Sequence, residues 1–357
     1  MSRRWTLNGQ SGFEKCLQYE ENVPRTSALA SNEVLVERHA ASLNYRELAI
    51  ANTDGPTAAR AGPIRPNIVP GSDGAGVVRQ VGAAVSAFRP GDRVITHLAP
   101  NLVGRSGDEA LPVYHDIADG LGQVVDGTLR SEGVFPETAL VSAPESLDWS
   151  QAATLTCGGL TAWNSLFGLK GREPGPGTWV LVQGTGGVSI AALQLALAAG
   201  AAVVATTSSE DKAKRLRDLG ARATVSYREN PDDWGVKARD LTPDRRGFDI
   251  VVDIAGDDSL AQSIAAVRTD GLVVAAGLVG KKAEPVPMLA ALGRPCIVRG
   301  VLLGSRKQFQ DMVRFVEEKG IRPVVDDVTF ELAQAKDAYA RLDAKKHFSK
   351  VVIRIDH

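Results

Sequence analysis

The residues with the clearest chemical signature form a glycine-rich run between a strand-like and a helix-like segment. This run reads Gly184-Thr185-Gly186-Gly187-Val188. Gly184 permits a tight turn, and Gly186 lets the backbone approach a pyrophosphate, whose negative charge faces the N–H groups that begin the helix. The third glycine of the usual G-x-G-x-x-G pattern is replaced by Ser189, which is also small. The run therefore predicts a dinucleotide-binding turn.

The choice between NAD and NADP depends on the residues about 20 positions after the first glycine. An acid there binds the ribose 2′-hydroxyl of NAD and repels a 2′-phosphate. This chain instead has hydroxyl residues and a lysine, namely Thr206, Thr207, Ser208, Ser209 and Lys212. Hydroxyls and an ammonium group suit a phosphate dianion. We therefore predict NADPH, with the alternative that Lys212 is an ordinary solvated residue of its helix.

The elements that position this turn follow from the hydrophobic pattern. Between residues 178 and 303, apolar strand-like runs alternate with helix-like runs, which is typical of a parallel sheet covered on both faces. The first 150 residues read as short strands joined by glycine and proline turns, and 99–130 reads as one long loop. The segment after 305 is too short for a core of its own, so we expect it to join the N-terminal part.

Composition excludes several classes of protein. The chain of 357 residues is long enough for two domains. A formal net charge of −1 provides no field that would attract nucleic acid or an anionic membrane. The cysteines, Cys16, Cys157 and Cys296, are far apart, as in proteins of reducing compartments. Without a signal-peptide or membrane-spanning pattern, we expect a cytoplasmic protein that acts on a small molecule.

Segments along nearly the whole chain resemble the medium-chain dehydrogenase/reductase superfamily, in particular its quinone-oxidoreductase and zinc-type alcohol-dehydrogenase-like members. The segments are AASLNYREL (40–48), PGSDGAG (70–76), RPGDRV (89–94), AATLTCGGLTAWNSLF (152–167), VLVQGTGGVSIAALQLA (180–196) and HFSKVVI (347–353). The resemblance implies an α/β protein in which a Rossmann doubly wound parallel-sheet domain (158–303) is inserted into a β-rich GroES-like catalytic domain (1–157 plus 304–357). It also suggests a homodimer formed through 297–302.

The resemblance further implies cofactor contacts for individual residues, in addition to the glycine-rich turn and the hydroxyl residues after it. The matching positions are Asn44, Thr161 and Val188 near the nicotinamide and its ribose, Gly277, Leu278, Val301 and Leu302 at the carboxamide, Lys212 and Tyr227 at the 2′-phosphate, and Lys350 at the pyrophosphate.

Zinc-dependent relatives carry a cysteine, a His-Glu pair and a second cysteine as catalytic ligands. The matching positions here hold Asn44, the pair Ser72-Asp73, and Cys157. An amide and a hydroxyl are not usual zinc ligands, and the stretch that matches the structural zinc lobe, 98–130, contains no cysteine. We therefore predict no metal. The alternative is a site improvised from Asp73, Cys157 and a histidine such as His97.

Without a metal to act as Lewis acid, reduction is easier where the substrate itself delocalises the incoming charge. We therefore predict NADPH-dependent hydride transfer to the activated C=C of an enone, quinone or enoyl thioester. Tyr45 and Arg46 are the predicted catalytic residues, with packing or a cofactor contact as the other role for Tyr45. Two other functions stay open: a zinc-free alcohol dehydrogenase or carbonyl reductase, and an NADPH-binding structural or regulatory protein.

Overall fold

The computed structural model describes residues 1–24, 28–53, 62–277, 286–287 and 289–356. The chain folds into two compact units, one formed by Met1–Leu160 with Leu303–His357 and the other by Thr161–Leu302. The boundaries predicted from the sequence, at 157/158 and 303/304, lie near these. Among the described residues, no helix has the length and apolar character needed to cross a membrane.

The N-terminal part of the first unit is rich in strands. Its strands are β1 (Ser2–Leu7), β2 (Leu17–Val23), β3 (Glu33–Ser42), β4 (Asp73–Val81), β5 (Arg93–Thr96), β6 (Glu132–Pro136) and β7 (Leu140–Ser142). Strands β1 and β2 form an antiparallel pair, while β3, β4, β5 and β7 follow one another in a larger sheet in which β6 also pairs with β3. Alternate residues of β3, such as Val34 and Val36, are buried against Phe135 because side chains two apart share one face of a strand.

Short helices connect these strands. They are α1 (Phe13–Cys16), α2 (Tyr45–Ala51), α3 (Pro100–Ser106), α4 (Tyr114–Ala118) and α5 (Trp149–Ala152), with a 3₁₀ turn at Glu137–Ala139 and a π-helical turn at Leu155–Gly159. The prediction of a single loop over 99–130 was wrong, because α3 and α4 lie there. Both helices are too short to show an amphipathic period. Pro100 fits the first turn of α3, where its missing N–H costs nothing.

The second unit contains a six-stranded sheet with helices between its strands. The strands are β8 (Trp179–Gln183), β9 (Ala202–Thr207), β10 (Ala223–Ser226), β11 (Phe248–Asp253), β12 (Val267–Ala275) and β13 (Ile297–Gly300). The helices are α6 (Leu160–Phe167), α7 (Gly187–Ala198), α8 (Glu210–Asp218), α9 (Trp234–Asp240), α10 (Leu260–Ala266) and α11 (Ala290–Gly293), with 3₁₀ turns at Pro243–Arg245 and Gly256–Asp258.

The strands of this sheet are parallel, in the order β10-β9-β8-β11-β12-β13. This is the order of a doubly wound nucleotide-binding sheet, which confirms the predicted fold class. Leu181, Val204 and Val251, from the three central strands, are buried together with Trp234 and Phe248. Such strands are apolar on both faces because helices cover each face.

The C-terminal segment returns to the first unit. It contains α12 (Arg306–Glu318), β14 (Val325–Glu331), a 3₁₀ turn at Leu332–Gln334, α13 (Ala335–Asp343) and β15 (Lys350–Arg354). The side chain of Ser305 accepts a hydrogen bond from the Gln308 N–H at 3.1 Å and caps the start of α12. Strand β15 pairs antiparallel with β3 and parallel with β14. The tail therefore completes the sheet of the N-terminal part, as its length predicted.

Candidate active site

A cluster of polar side chains forms where strand β3 ends. Ser42, the last residue of β3, pairs with Val352 of β15 and with Asp73 of β4. Continuing the same antiparallel register places Lys350, the first residue of β15, opposite Asn44. Since residues two apart on a strand point to the same side, these strands bring Asn44, Asp73 and Lys350 together.

Lys350 and Asp73 form a buried ion pair. The Lys350 Nζ atom lies 3.0 Å from Asp73 Oδ2 and also donates to Asn44 Oδ1. The side chains of Lys350 and Asp73 are only 4% and 0% exposed, so water does not screen the pair. Asp73 also accepts from the Ser72 hydroxyl at 2.7 Å and from the Cys157 backbone N–H at 3.3 Å. These bonds supply the additional partners that a buried charge requires.

A second carboxylate, Glu47, extends the cluster from the third residue of α2. Its Oε2 accepts from the Asn44 backbone N–H at 2.7 Å, as the acid of a capping box does. Its Oε1 accepts from Arg46 at 3.2 Å and from the Ser72 hydroxyl at 3.3 Å. Burial raises the pKa of Glu47, an effect that Arg46 opposes and Asp73 reinforces. The cluster therefore contains two carboxylates and two basic groups in contact with one another.

The two predicted catalytic residues have different surroundings. Tyr45 begins α2 and is half-buried, and its hydroxyl makes no hydrogen bond with any residue that the structure describes. Arg46 is held by its neighbours, because it donates to the Leu121 carbonyl at 3.1 Å and to Gln123 Oε1 at 3.5 Å, in addition to Glu47. The geometry therefore gives Arg46 a role in positioning Glu47.

The side chains at the positions that match zinc ligands do not fit a zinc ion. Asn44 directs its oxygen to the Lys350 ammonium, and Ser72 donates its proton to Asp73. Burial, reinforced by Asp73, raises the pKa of the Cys157 thiol to about 12. A cation already contacts Asp73 Oδ2. An amide, a hydroxyl, a single thiol and a lysine-paired carboxylate are not a zinc donor set.

His97 does not supply the missing ligand. Its Nε2 lies 3.4 Å from the Gly304 carbonyl, and burial lowers its pKa to about 4. In the part of the chain that the structure describes, no group of three or more His, Cys, Asp or Glu side chains could hold a metal ion.

The glycine-rich turn of the second unit has the geometry that a pyrophosphate requires. Gly184 has a φ of +74°, which favours glycine, and its N–H donates to the Thr206 carbonyl at 2.9 Å. A Cβ atom added at Gly186 would meet no described atom within 4 Å, and helix α7 begins at the next residue. Ser189 donates to the Gln183 carbonyl at 2.6 Å, so a small hydroxyl residue replaces the third glycine. The residues present fit a dinucleotide.

The end of β9 carries the residues predicted to select the cofactor. The Thr207 hydroxyl is buried and has no hydrogen-bond partner among the described residues. Ser209 caps α8, and its hydroxyl accepts from the Lys212 N–H at 3.4 Å. The acid that begins α8, Glu210, pairs with Arg217. The first turn of α8 also contains a second acid, Asp211.

The remaining predicted cofactor residues are distributed over the second unit. The Tyr227 N–H donates to the Thr207 carbonyl at 3.2 Å, which places Tyr227 beside the end of β9. The Val301 N–H donates to the Ala275 carbonyl at 3.0 Å. This bond connects the end of β12, which Gly277 follows, with the end of β13, which Leu302 follows. Thr161 is buried in α6, Val188 and Ser208 are half-buried, and Leu278 lies outside the described residues.

Comparison with known proteins agrees with this architecture. Residues 30–145 match the alcohol dehydrogenase GroES-like domain family, and residues 187–318 match the zinc-binding dehydrogenase family. A zinc-type alcohol dehydrogenase-like protein of Schizosaccharomyces pombe is 39% identical over 361 residues, which cover 100% of both chains. This chain belongs to the medium-chain dehydrogenase/reductase superfamily. It is therefore an oxidoreductase of the medium-chain type.

Solved structures of other superfamily members have the same fold. A structure titled as an NAD-dependent alcohol dehydrogenase has a TM-score of 0.85 and 31% identity, covering 99% of this chain and 100% of that one. A quinone oxidoreductase of Pseudomonas syringae pv. tomato has a TM-score of 0.77 and 26% identity, with coverage of 99% and 100%.

Sequence reasoning missed Glu47 and considered Asp73 only as a metal position. The spacing of Asn44 and Glu47 is that of a capping box, which could have drawn attention to Glu47. A lysine at the start of the apolar run 351–353 was a second signal, because a charge beside a buried strand needs a partner. The contact of Lys350 with the pyrophosphate stays a prediction, and in the structure its ammonium contacts Asn44 and Asp73.

Proposed function

We propose that this medium-chain oxidoreductase is a zinc-independent, NADPH-dependent reductase of activated C=C bonds in enones, quinones or enoyl thioesters. The observation that carries the proposal is the buried Lys350–Asp73 pair beside Asn44. It puts an ammonium group among the side chains where zinc-dependent relatives have metal ligands. A substrate whose own conjugation spreads the developing charge is best suited to such a site.

The proposed cofactor is NADPH, which when bound supplies the hydride. The turn of residues 184–187 would hold its pyrophosphate, and Val188 would pack behind the nicotinamide. Thr207, Ser208, Ser209, Lys212 and Tyr227 would hold its 2′-phosphate. Two features support the choice over NADH: the buried Thr207 hydroxyl that lacks a partner among the described residues, and the pairing of Glu210 with Arg217. Thr161, Gly277, Leu278, Val301 and Leu302 would contact the nicotinamide end, and Tyr45 would donate the proton.

A carbonyl reductase or alcohol dehydrogenase is the second candidate. It is favoured by the relative from Schizosaccharomyces pombe, which is 39% identical and is named an alcohol dehydrogenase-like protein. Because the same cofactor and site serve both reactions, only the position of the new C–H bond distinguishes them.

The test is oxidation of NADPH against a panel of enones, quinones, enoyl thioesters and saturated ketones. With 4-deuterated NADPH, we expect deuterium at the carbon β to the carbonyl, and much slower turnover of saturated ketones. Deuterium on a carbinol carbon would assign the protein to the second candidate. The absence of turnover with every acceptor, despite tight NADPH binding, would contradict both.

Metal independence has a separate test. Elemental analysis of the purified protein should give far less than one zinc per chain, and dialysis against a chelator should leave the rate unchanged. Cys157→Ser should also keep most of the activity, because the proposed reaction does not use the Cys157 thiol. Stoichiometric zinc that is lost in Cys157→Ser would contradict the proposal.

We also propose a homodimer formed through β13. This strand is at the edge of the parallel sheet, and Val298 on it is 45% exposed. An unpaired edge strand with an exposed apolar side chain can pair with a second copy of itself. Light scattering of the purified protein should give twice the chain mass, and Val298→Lys should give the monomer mass.

A further inference from the structure

The orientation of the Asn44 amide is fixed by Lys350. A lysine ammonium can only donate hydrogen bonds, so the atom of Asn44 that faces it must be the oxygen. The amide nitrogen, Nδ2, therefore points away from Lys350 Nζ. This nitrogen is buried and has no hydrogen-bond partner among the described residues. An amide donor left in this state is the kind of group that a ligand satisfies.

The Lys350 ammonium has the same unused capacity. It carries three N–H donors, and within the described residues it has two acceptors, Asn44 Oδ1 and Asp73 Oδ2. One N–H is left over. Lys350 and Asn44 are in direct contact, so the ammonium and the amide are neighbours in the cluster. The Asn44 amide and the Lys350 ammonium therefore each keep N–H capacity that no described residue uses.

We propose that Asn44 Nδ2 and Lys350 Nζ form an oxyanion-binding pair for the carbonyl oxygen of the substrate. In this role the ammonium replaces the metal ion of zinc-dependent relatives as the electrostatic partner of the developing charge. The catalytic part of this inference rests on the reductase function proposed above. Asp73 positions the ammonium, and Glu47 holds the Asn44 backbone.

The chemical step balances with these two donors. Addition of a hydride to the β-carbon of an enone moves the C=C electron pair toward the carbonyl and leaves an enolate with its charge on oxygen. The Lys350 and Asn44 N–H groups donate to that oxygen, which lowers the energy of the charged state more than that of the neutral ketone. One proton, delivered from water through Tyr45, then adds to the α-carbon. The sum is one hydride and one proton added across C=C.

The alternative role of Lys350, a contact with the cofactor pyrophosphate, makes a different kinetic prediction. If Lys350 bound the pyrophosphate, its removal would weaken NADPH binding. If it binds the substrate oxygen, its removal lowers kcat and leaves the Kd of NADPH almost unchanged. Lys350→Met keeps the length and the apolar stem of the side chain and removes only the charge and the donors.

The first experiment compares the wild-type protein with Lys350→Met, Asn44→Ala and a control, Lys346→Met, which changes an exposed lysine of the same segment. We expect kcat for the best enone to fall on the order of 100-fold in Lys350→Met and about 10- to 100-fold in Asn44→Ala, as for single oxyanion donors. The Kd of NADPH should change less than about twofold in these variants. In an additional variant, Lys350→Ala, added ethylammonium should restore part of the rate, because it supplies the missing ammonium group. A weakened NADPH complex with unchanged kcat would overturn the proposal.

The second experiment does not depend on turnover. The anion 4-nitrophenolate, a stable mimic of an enolate oxygen, is titrated into the protein saturated with NADP⁺, and binding is followed by its absorbance. We expect saturable binding in the wild type and in Lys346→Met, and a Kd at least about tenfold higher in Lys350→Met and Asn44→Ala. Equal binding in all four proteins would overturn the oxyanion site. Binding that depends on both residues, in a protein that reduces no enone, would leave the site standing and reject only the reductase function.

Lys350→Met leaves Asp73 buried without its partner, so the variant can fail to fold. In that case, Lys350→Met/Asp73→Asn removes both charges, and the same titration and rates are measured on it. Rates and phenolate binding equal to those of the wild type in this double variant would equally overturn the proposal.

Discussion

Two fully buried aspartates, one in each unit, are satisfied in different ways. Asp253, at the end of β11, accepts only from neutral donors. These are the backbone N–H groups of Ala255 and Gly256 at 3.1 and 2.9 Å, the hydroxyls of Ser259 and Ser263 at 2.7 and 2.5 Å, and the Gln183 amide at 3.3 Å. Asp73, in contrast, is paired with the buried ammonium of Lys350, which lies 277 residues further along the chain.

The difference agrees with the proposal that the network around Asp73 binds a ligand and the network around Asp253 supports the fold. Around Asp253, each of the five donors forms a hydrogen bond with the carboxylate. Most of these donors come from the ten residues that follow Asp253, so the network fixes the start of α10. Around Asp73, donors are left over, namely Asn44 Nδ2 and one N–H of Lys350. A network that stabilises only the fold closes on itself, whereas one that binds a ligand keeps donors for it.

The largest expected effect comes from removing one member of the charged pair. Asp73→Ala should lower the free energy of unfolding by about 3–5 kcal/mol, because it leaves the Lys350 ammonium buried without a counter-charge. Asp73→Ala/Lys350→Met should regain most of that loss, since neither charge then remains. Urea unfolding followed by circular dichroism measures both values. A double variant that is as unstable as the single one would show that the pair is not the source of the loss.

A smaller loss is expected at Asp253, and it should not be recoverable by a second substitution. Asp253→Ala removes the acceptor of five donors, and we expect a loss of about 3 kcal/mol, because several of them stay buried without a partner. The folded variant should keep kcat within about twofold. Asp257→Ala, at an exposed acid of the same loop, is the matched control. A large loss of kcat in folded Asp253→Ala would contradict the proposed difference between the two networks.

The same two regions show how far the sequence predicts the site. The fold class of the second unit could be predicted from its sequence, because most of its strands are continuous apolar runs and its turn is a local glycine pattern. The unpartnered hydroxyl of Thr207 and the cap residue Ser209 lie in the segment that the sequence predicts to select the cofactor. In a parallel α/β sheet, each functional loop comes directly after its own strand, so sequence position alone assigns it to the site.

The cluster of the first unit could not be predicted in this way. Asn44 and Lys350 meet because β15 pairs with β3 in one register, and Asp73 joins them through the register of β4. A shift of one residue would turn each side chain to the other face of the sheet. No local pattern fixes that register across some 300 residues, so the contact between Lys350 and Asp73 required the structure.

A third and smaller expected effect is the pH dependence of stability that comes from His97, a buried histidine of the first unit. Burial lowers the pKa of His97 from 6.5 to about 4. Between these values the unfolded chain binds the proton that the folded chain rejects, so stability falls as the pH falls. The contribution of His97 should be about 2 kcal/mol smaller at pH 5 than at pH 7. His97→Gln should remove this part of the pH dependence in urea titrations, whereas His115→Gln, at an exposed histidine, should keep it.

The smallest effect concerns a lysine that, unlike Lys350, lies near the surface of the second unit. Lys212 is half-buried in the first turn of α8, and we propose that it contacts the 2′-phosphate of NADPH. The wild-type protein should bind NADPH at least tenfold more tightly than NADH, which is about 1.4 kcal/mol. Lys212→Ala should remove most of this preference and leave the Kd of NADH nearly unchanged, because NADH has a hydroxyl in place of the phosphate. Lys214→Ala, an exposed lysine of the same helix, is the control for a general loss of positive charge. Fluorescence titration measures all of these values. If the wild type binds both cofactors equally, Lys212 is a solvated residue of the helix, and the hydroxyls after β9 serve a ribose rather than a phosphate.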